Sequence, residues 1–174
     1  MIAPRRTGGF FTTALLMIVV GVVQIYGFYV SVNGRPSDIQ FFTHLAACLC
    51  WIGLSVAALV MWLTWLSGVH KDIRVLTAGQ YGISPAKASG FLFIPIFNAF
   101  WTVFAPAKLA GALNLQLRAA GEAPVSRGAV TLCQIVSVVA PLVGLYPISP
   151  LMYAMSMRMI QGGFNRLVKL QYAR

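Results

Sequence analysis

Four stretches of the chain contain no Asp, Glu, Lys or Arg: residues 7–34, 39–69, 88–107 and 128–157. Polar and charged residues gather in short islands between them. A helix that crosses a bilayer needs about 20 apolar residues, and each stretch reaches or approaches that length. Backbone groups in lipid must be satisfied within the segment, and the two-residue alternation of barrel strands is missing, so helices are the predicted spanning elements.

The first helix is expected over residues 10–30, with Tyr26, Phe28 and Tyr29 at an interface near its far end. Asn33, Gly34, Arg35 and Pro36 read as a turn, after which Ser37 or Asp38 can cap a second helix. No breaker follows until Ala78 and Gly79, so the second helix should continue past residue 69 through His70, Lys71, Asp72 and Arg74 and leave the bilayer. Trp62 and Trp65 would mark the interface on that side.

Proline breaks the third and fourth runs. Pro95 and Pro106 interrupt the third, which predicts either a short piece at residues 91–95 before a spanning helix or a segment that dips into the membrane and returns. In the fourth, Pro141 reads as a kink and Tyr146, Pro147, Ile148, Ser149, Pro150 as a break. A Met-rich helix with Met152, Met155, Met157 and Met159 follows, interrupted by Arg158 and ending in a tail with Gly162, Gly163, Arg166 and Lys169 suited to an interface. Ile94, Pro95, Ile96 leading through Trp101 to Gly111 and Asn114 parallels Tyr146, Pro147, Ile148 leading through Tyr153 to Gly162 and Asn165, which fits either a duplicated unit or chance. The expected fold is all-α: one polytopic transmembrane helical bundle over residues 1–174, with four spans, five as the alternative, and a C-terminal interfacial helix.

Composition narrows the setting. Charged residues make up 9% of the chain and hydrophobic ones 59%, whereas about a quarter of a soluble domain is charged. The net charge of +10 comes from cations placed singly or in pairs at the edges of the apolar runs. That placement suits anionic lipid headgroups and the positive-inside rule, and it lacks the basic stripe with aromatics that binds nucleic acid. With four spans and a cytoplasmic N-terminus, nine Lys and Arg fall inside and four outside. Five spans invert the N-terminus and give eight against five. The expected location is the cytoplasmic membrane, with both termini cytoplasmic and the first helix an uncleaved anchor.

Little in the sequence supports catalysis. The acids Asp38, Asp72 and Glu122 fall in separate islands, so no carboxylate pair forms. His44 and Cys48 share a helix face with Cys50 nearby, but no further ligand completes a metal site. Cys48, Cys50 and Cys133 all lie in apolar runs, where a thiol packs as a small apolar group. There is no nucleophile elbow and no phosphate-cradling loop. No catalytic residue, metal or cofactor is therefore expected. The candidate functional or partner-contact residues are Asn98 and Arg158, polar groups inside apolar sequence, with the Pro95 break and Trp101. Asn98 has a simpler role available in satisfying carbonyls freed by Pro95, and Arg158 in reaching toward headgroups.

Residues 84–101 read Ser-Pro-Ala-Lys-Ala-Ser-Gly-Phe-Leu-Phe-Ile-Pro-Ile-Phe-Asn-Ala-Phe-Trp. This run resembles the central S-P-x-x-A-x-x-F-x-x-I-P-x-x-N-x-x-W motif of a family of bacterial four-helix integral membrane domains without an assigned activity. The similarity continues loosely at Leu109, Ala110, Leu113 and Asn114, and at Phe164, Asn165, Arg166 and Leu167. It implies a bacterial four-helix membrane domain and supplies no catalytic residue. The functional expectation is a non-enzymatic accessory, scaffolding or assembly subunit whose partners are the bilayer and other membrane proteins, its abundant Gly, Ala and Ser permitting close helix contact. The alternatives are a small transporter or channel component with its site at Pro95 and Asn98, and a lipid-modifying or redox enzyme that would require a cofactor.

Overall fold

Ser37 starts the longest helix with a capping box: its hydroxyl accepts the Gln40 N–H at 3.3 Å, and the Gln40 side chain accepts the Ser37 N–H at 2.9 Å. Both orphan donors at the helix start are thereby satisfied. The computed structural model describes residues 8–34, 37–145 and 148–172, the side chains of 31, 95, 96, 171 and 172 excepted. Helix α1 (Gly8–Asn33) and helix α2 (Asp38–Leu76) form an antiparallel hairpin. Phe10 lies against Trp62 at 6.5 Å between ring centroids, and Gln24 reaches the Ala47 carbonyl at 3.5 Å. The His44 side chain occupies the space that a Cβ on Gly27 would need, so a glycine lets the two helices close there. At about 1.5 Å per residue, α1 is about 39 Å long and α2 about 58 Å, the latter far longer than a hydrocarbon core of about 30 Å. Helix α2 stops where expected: Ala78 and Gly79 take φ of 49° and 83°, and the Gly79 N–H closes on the Arg74 carbonyl at 2.8 Å.

The rest of the described chain is two helical pairs, each interrupted by a short 3-10 turn. In the first, α3 (Pro85–Gly90) leads through a 3-10 turn (Phe91–Phe93) to α4 (Pro95–Ala119). Ile94 is extended, at φ −91° and ψ 111°, because the proline ring that follows disfavours the helical region. Helix α4 runs unbroken through Pro106. In the second pair, α5 (Arg127–Val139) leads through a 3-10 turn (Ala140–Val143) to α6 (Ile148–Tyr172). Both apolar runs expected to be broken by proline are broken. Tyr146 and Pro147 lie outside the described residues.

The fourth run reverses the chain rather than kinking it. Gly144 takes φ 79° and the Leu145 N–H bonds the Ala140 carbonyl at 2.8 Å, which satisfies the end of the helix. Helix α6 then packs antiparallel to α5: Gln134 bonds Ser156, and the Ser149 hydroxyl donates to the Ser137 carbonyl at 2.7 Å.

The hydrophobic core lies where one end of the hairpin meets α3–α6. Leu66, Val69 and Ile73 of α2 pack there with Leu109, Leu113 and Leu117 of α4, Val130 of α5, and Met157, Ile160 and Phe164 of α6. Within the core Gly163 allows a close approach, since a Cβ there would fall 2.7 Å from Val125 and 2.8 Å from Leu113. Beyond this body the hairpin stands out with its apolar side chains exposed, among them Tyr26 at 66%, Phe28 at 66% and Ile39 at 79%. The protein is thus an all-α chain in which, among the described residues, two helices, α1 and α2, are long and apolar enough to cross a membrane.

Candidate functional site

Pro95 occupies the first position of α4, where its missing N–H costs no hydrogen bond and frees no carbonyl. The Asn98 N–H instead bonds the Ile94 carbonyl at 2.8 Å. The Asn98 side chain is therefore not needed to repair the break. Its Oδ1 accepts a hydrogen bond from the Thr102 hydroxyl at 3.0 Å, one turn along the same helix. Pro106, a further turn on, has no N–H, so the Thr102 carbonyl loses its usual helical donor.

Asn98 and Thr102 face a chamber of about 400 Å³ between the hairpin and the two 3-10 turns. Phe10 and Met17 of α1, and Trp51, Ala58 and Trp62 of α2, form one wall. Leu92, Pro141, Ser149, Pro150 and Tyr153 close the other. The Tyr153 hydroxyl lies within hydrogen-bonding reach of the Ser137 and Thr102 hydroxyls. Four polar residues, Asn98, Thr102, Ser149 and Tyr153, thus share one side of the chamber, and among the described residues no Asp, Glu, Lys, Arg, His or Cys lines it. Such a lining binds by shape and neutral hydrogen bonds.

The other two candidates sit elsewhere. Trp101 is 6% exposed and donates from Nε1 to the Ala88 carbonyl at 3.0 Å, with Phe91 edge-on at 4.8 Å and Phe97 stacked at 5.7 Å. It fastens α3 and its 3-10 turn to α4, which sets the position of the chamber wall. Arg158 is exposed and lies 5.6 Å over the Phe11 ring, in a separate open groove with Leu151, Met155 and Met159. The structure therefore brings Asn98 to the chamber, starts α4 at Pro95 one turn before it, puts Trp101 behind it, and leaves Arg158 apart. Ser149, Thr102 and Tyr153 were not singled out from sequence. Their signal is the spacing of four residues, Asn98 to Thr102 and Ser149 to Tyr153, which puts each pair on one helix face.

A second polar cluster lies at the opposite end of the body. His70 is fully buried with Nδ1 at 2.8 Å from the Leu66 carbonyl, and its ring meets buried Tyr81 at 5.6 Å between centroids. Neither His70 Nε2 nor the Tyr81 hydroxyl has a hydrogen-bond partner among the described residues. His44 and Cys48 do come together, at 3.8 Å, and among the described residues no group of three or more His, Cys, Asp or Glu is placed to hold a metal ion. Comparison with protein-family models, curated proteins and solved structures gives no match.

Proposed function

We propose that this chain is a non-enzymatic protein of the bacterial cytoplasmic membrane that serves as an accessory, scaffolding or assembly subunit of a larger membrane complex. In this reading α1 and α2 cross the bilayer, and α4, α5 and α6 enter it from the cytoplasmic side only as far as the two 3-10 turns. Residues 38–57 of α2, from its capped start to the middle of its chamber wall, span about 30 Å, one hydrocarbon thickness. The turns carry apolar tips, with Leu142 81% and Phe93 69% exposed, as membrane insertion requires. The nine Lys and Arg of the described residues all lie on α2 past residue 69, on α3, or on α4–α6 at and beyond Lys108. They therefore share the end of the molecule opposite the α1–α2 turn. This gives a stronger positive-inside asymmetry than four crossings do, and it keeps both termini cytoplasmic. The resemblance of residues 84–101 to bacterial membrane domains agrees with that location.

The observation that carries the accessory role is the outer face of α2. Ala46, Cys50, Gly53 and Ala57 recur at spacings of four, three and four and are all exposed. A face of small side chains lets a second helix approach closely, the usual basis of helix association in lipid. Substituting Gly53→Leu or Ala57→Leu should release a co-purifying subunit from native membranes in mild detergent while the thermal melt stays within a few degrees. Retention of that subunit by both variants, or a wild-type protein that purifies alone as a monomer, contradicts the proposal. The chamber at Asn98 favours a second reading, a small transporter component, for which Asn98→Leu should abolish flux in proteoliposomes.

A further inference from the structure

The chamber has a lining that neither a scaffolding role nor a lateral contact on α2 requires. Its hairpin wall is apolar apart from Ser55, while the α4 and α6 walls carry the Asn98, Thr102, Ser149 and Tyr153 side chains. Asn98 Oδ1 accepts from Thr102, which leaves Nδ2 as the donor of an exposed amide that lines the space. The Thr102 carbonyl, deprived of its helical donor by Pro106, is an acceptor nearby.

The chemistry of a fitting ligand follows from that inventory. A charged head would sit in an apolar setting with no counter-charge among the lining residues, at a cost of several kcal/mol. A purely hydrocarbon ligand would leave the amide protons unpaired. A hydroxyl or carbonyl head satisfies them, and a hydrocarbon chain fits the apolar wall. The rim is apolar too: Leu59 and Phe93 are 48% and 69% exposed, and Pro141 is exposed beside them. A ligand therefore comes from the apolar flank of the molecule rather than from water. A volume of about 400 Å³ lies toward the small end of ligand pockets, which span about 300–1,000 Å³, and suits one chain better than two.

We propose that the chamber binds an uncharged single-chain lipid, with its hydroxyl or carbonyl head held by Asn98 and Thr102. This rests on the α1–α2 hairpin lying in lipid and on neither role proposed above. The probe is a long-chain fatty alcohol carrying a photoreactive diazirine in its chain, applied to the purified full-length protein in detergent micelles. Working in micelles separates failure of the binding proposal from failure of the membrane arrangement. The label should map to residues 51–63 and 91–102. Unlabelled alcohol should compete about tenfold better than the matching ionised fatty acid, the difference made by about one hydrogen bond and an unpaired charge. The double variant Asn98→Leu with Thr102→Val should remove that preference, and Ser55→Phe, which fills the chamber from α2, should remove the label from these residues. Equal competition by alcohol and acid overturns the proposal. So does labelling elsewhere in the wild type, or a label unchanged by Ser55→Phe. The wild-type competition needs no variant, so misfolding of either one leaves the outcome decisive.

Discussion

Replacing Asn114 by alanine should destabilise the folded protein by about 2–4 kcal/mol and expose the α4–α5 connection to proteolysis. The Asn114 amide makes both hydrogen bonds available on Val125: Nδ2 donates to the Val125 carbonyl at 2.8 Å, and Oδ1 accepts the Val125 N–H at 2.7 Å. Val125 is 7% exposed, so without Asn114 its peptide groups would be left unpaired where water has little access. Each such group costs about 1–3 kcal/mol. Val125 also packs where Gly163 brings α6 close, so loosening it opens the α4–α6 contact. A thermal melt in detergent with limited trypsin digestion at Arg118 and Arg127 measures the effect. Asn114→Asp, which keeps the acceptor and loses the donor, should fall between. Wild-type stability and protease resistance in Asn114→Ala would show that Val125 is held by packing alone.

Acidification should weaken the protein through His70. This residue lies just past the charge-free run of α2, beside Lys71 and Asp72, in the part of the helix that the proposed arrangement puts outside the membrane. Burial lowers its pKa from 6.5 to about 4, partly opposed by the bond to Leu66. Above pH 6.5 the ring is neutral in both folded and unfolded chains, so it contributes no pH dependence. Below 6.5 the unfolded chain takes a proton that the fold refuses, and stability falls until the folded form is itself protonated near pH 4. The full loss across that window is about 3 kcal/mol, from about 1.4 kcal/mol per pH unit. Aspartate and glutamate titrate near the lower end, so the decisive comparison is with His70→Phe, whose stability should change far less between pH 6.5 and 5. Parallel curves for the two proteins would remove His70 as the cause. Tyr81, whose hydroxyl burial holds neutral, packs against the same ring and would be disturbed first.

The first half of the fold was readable because its signals are local. Absence of charge over residues 7–34 and 39–69 marks α1 and α2, and Ser37 or Asp38 at its start and the pair Ala78 and Gly79 at its end give the second helix its ends. The fourth run was harder. Pro141 in an apolar stretch is equally compatible with a kinked span and with a hairpin, and the decision fell to Gly144 in the left-handed region and to the tertiary pairing of Gln134 with Ser156. Pro106 gave the opposite surprise, since α4 passes through it unbroken. At the site, a polar residue in an apolar run drew attention to Asn98 and Arg158 alike. Sequence alone does not say which helix face each occupies in the bundle, and that placement puts Asn98 on the chamber and Arg158 on Phe11. Thr102, Ser149 and Tyr153 escaped notice because hydroxyl residues are common in apolar helices and bond their own backbone, as Thr43 and Thr64 do here.

The side of the membrane that faces the α4–α5 connection tests the arrangement most directly. Glu122 in that connection lies 3.6 Å from Arg166 of α6. Helix α6 runs in the same direction as α2, with Tyr153 beside Trp62 and Gln161 bonded to Trp65. The connection should therefore share the cytoplasmic side with Lys71 and Arg74. In a protein whose Cys48, Cys50 and Cys133 are replaced by alanine, single cysteines at Asn33→Cys and Ala123→Cys would be challenged with a membrane-impermeant maleimide. The account predicts that position 33 labels from outside intact cells and position 123 only in inverted membrane vesicles. Labelling of position 123 from outside, as four full crossings demand, would contradict it.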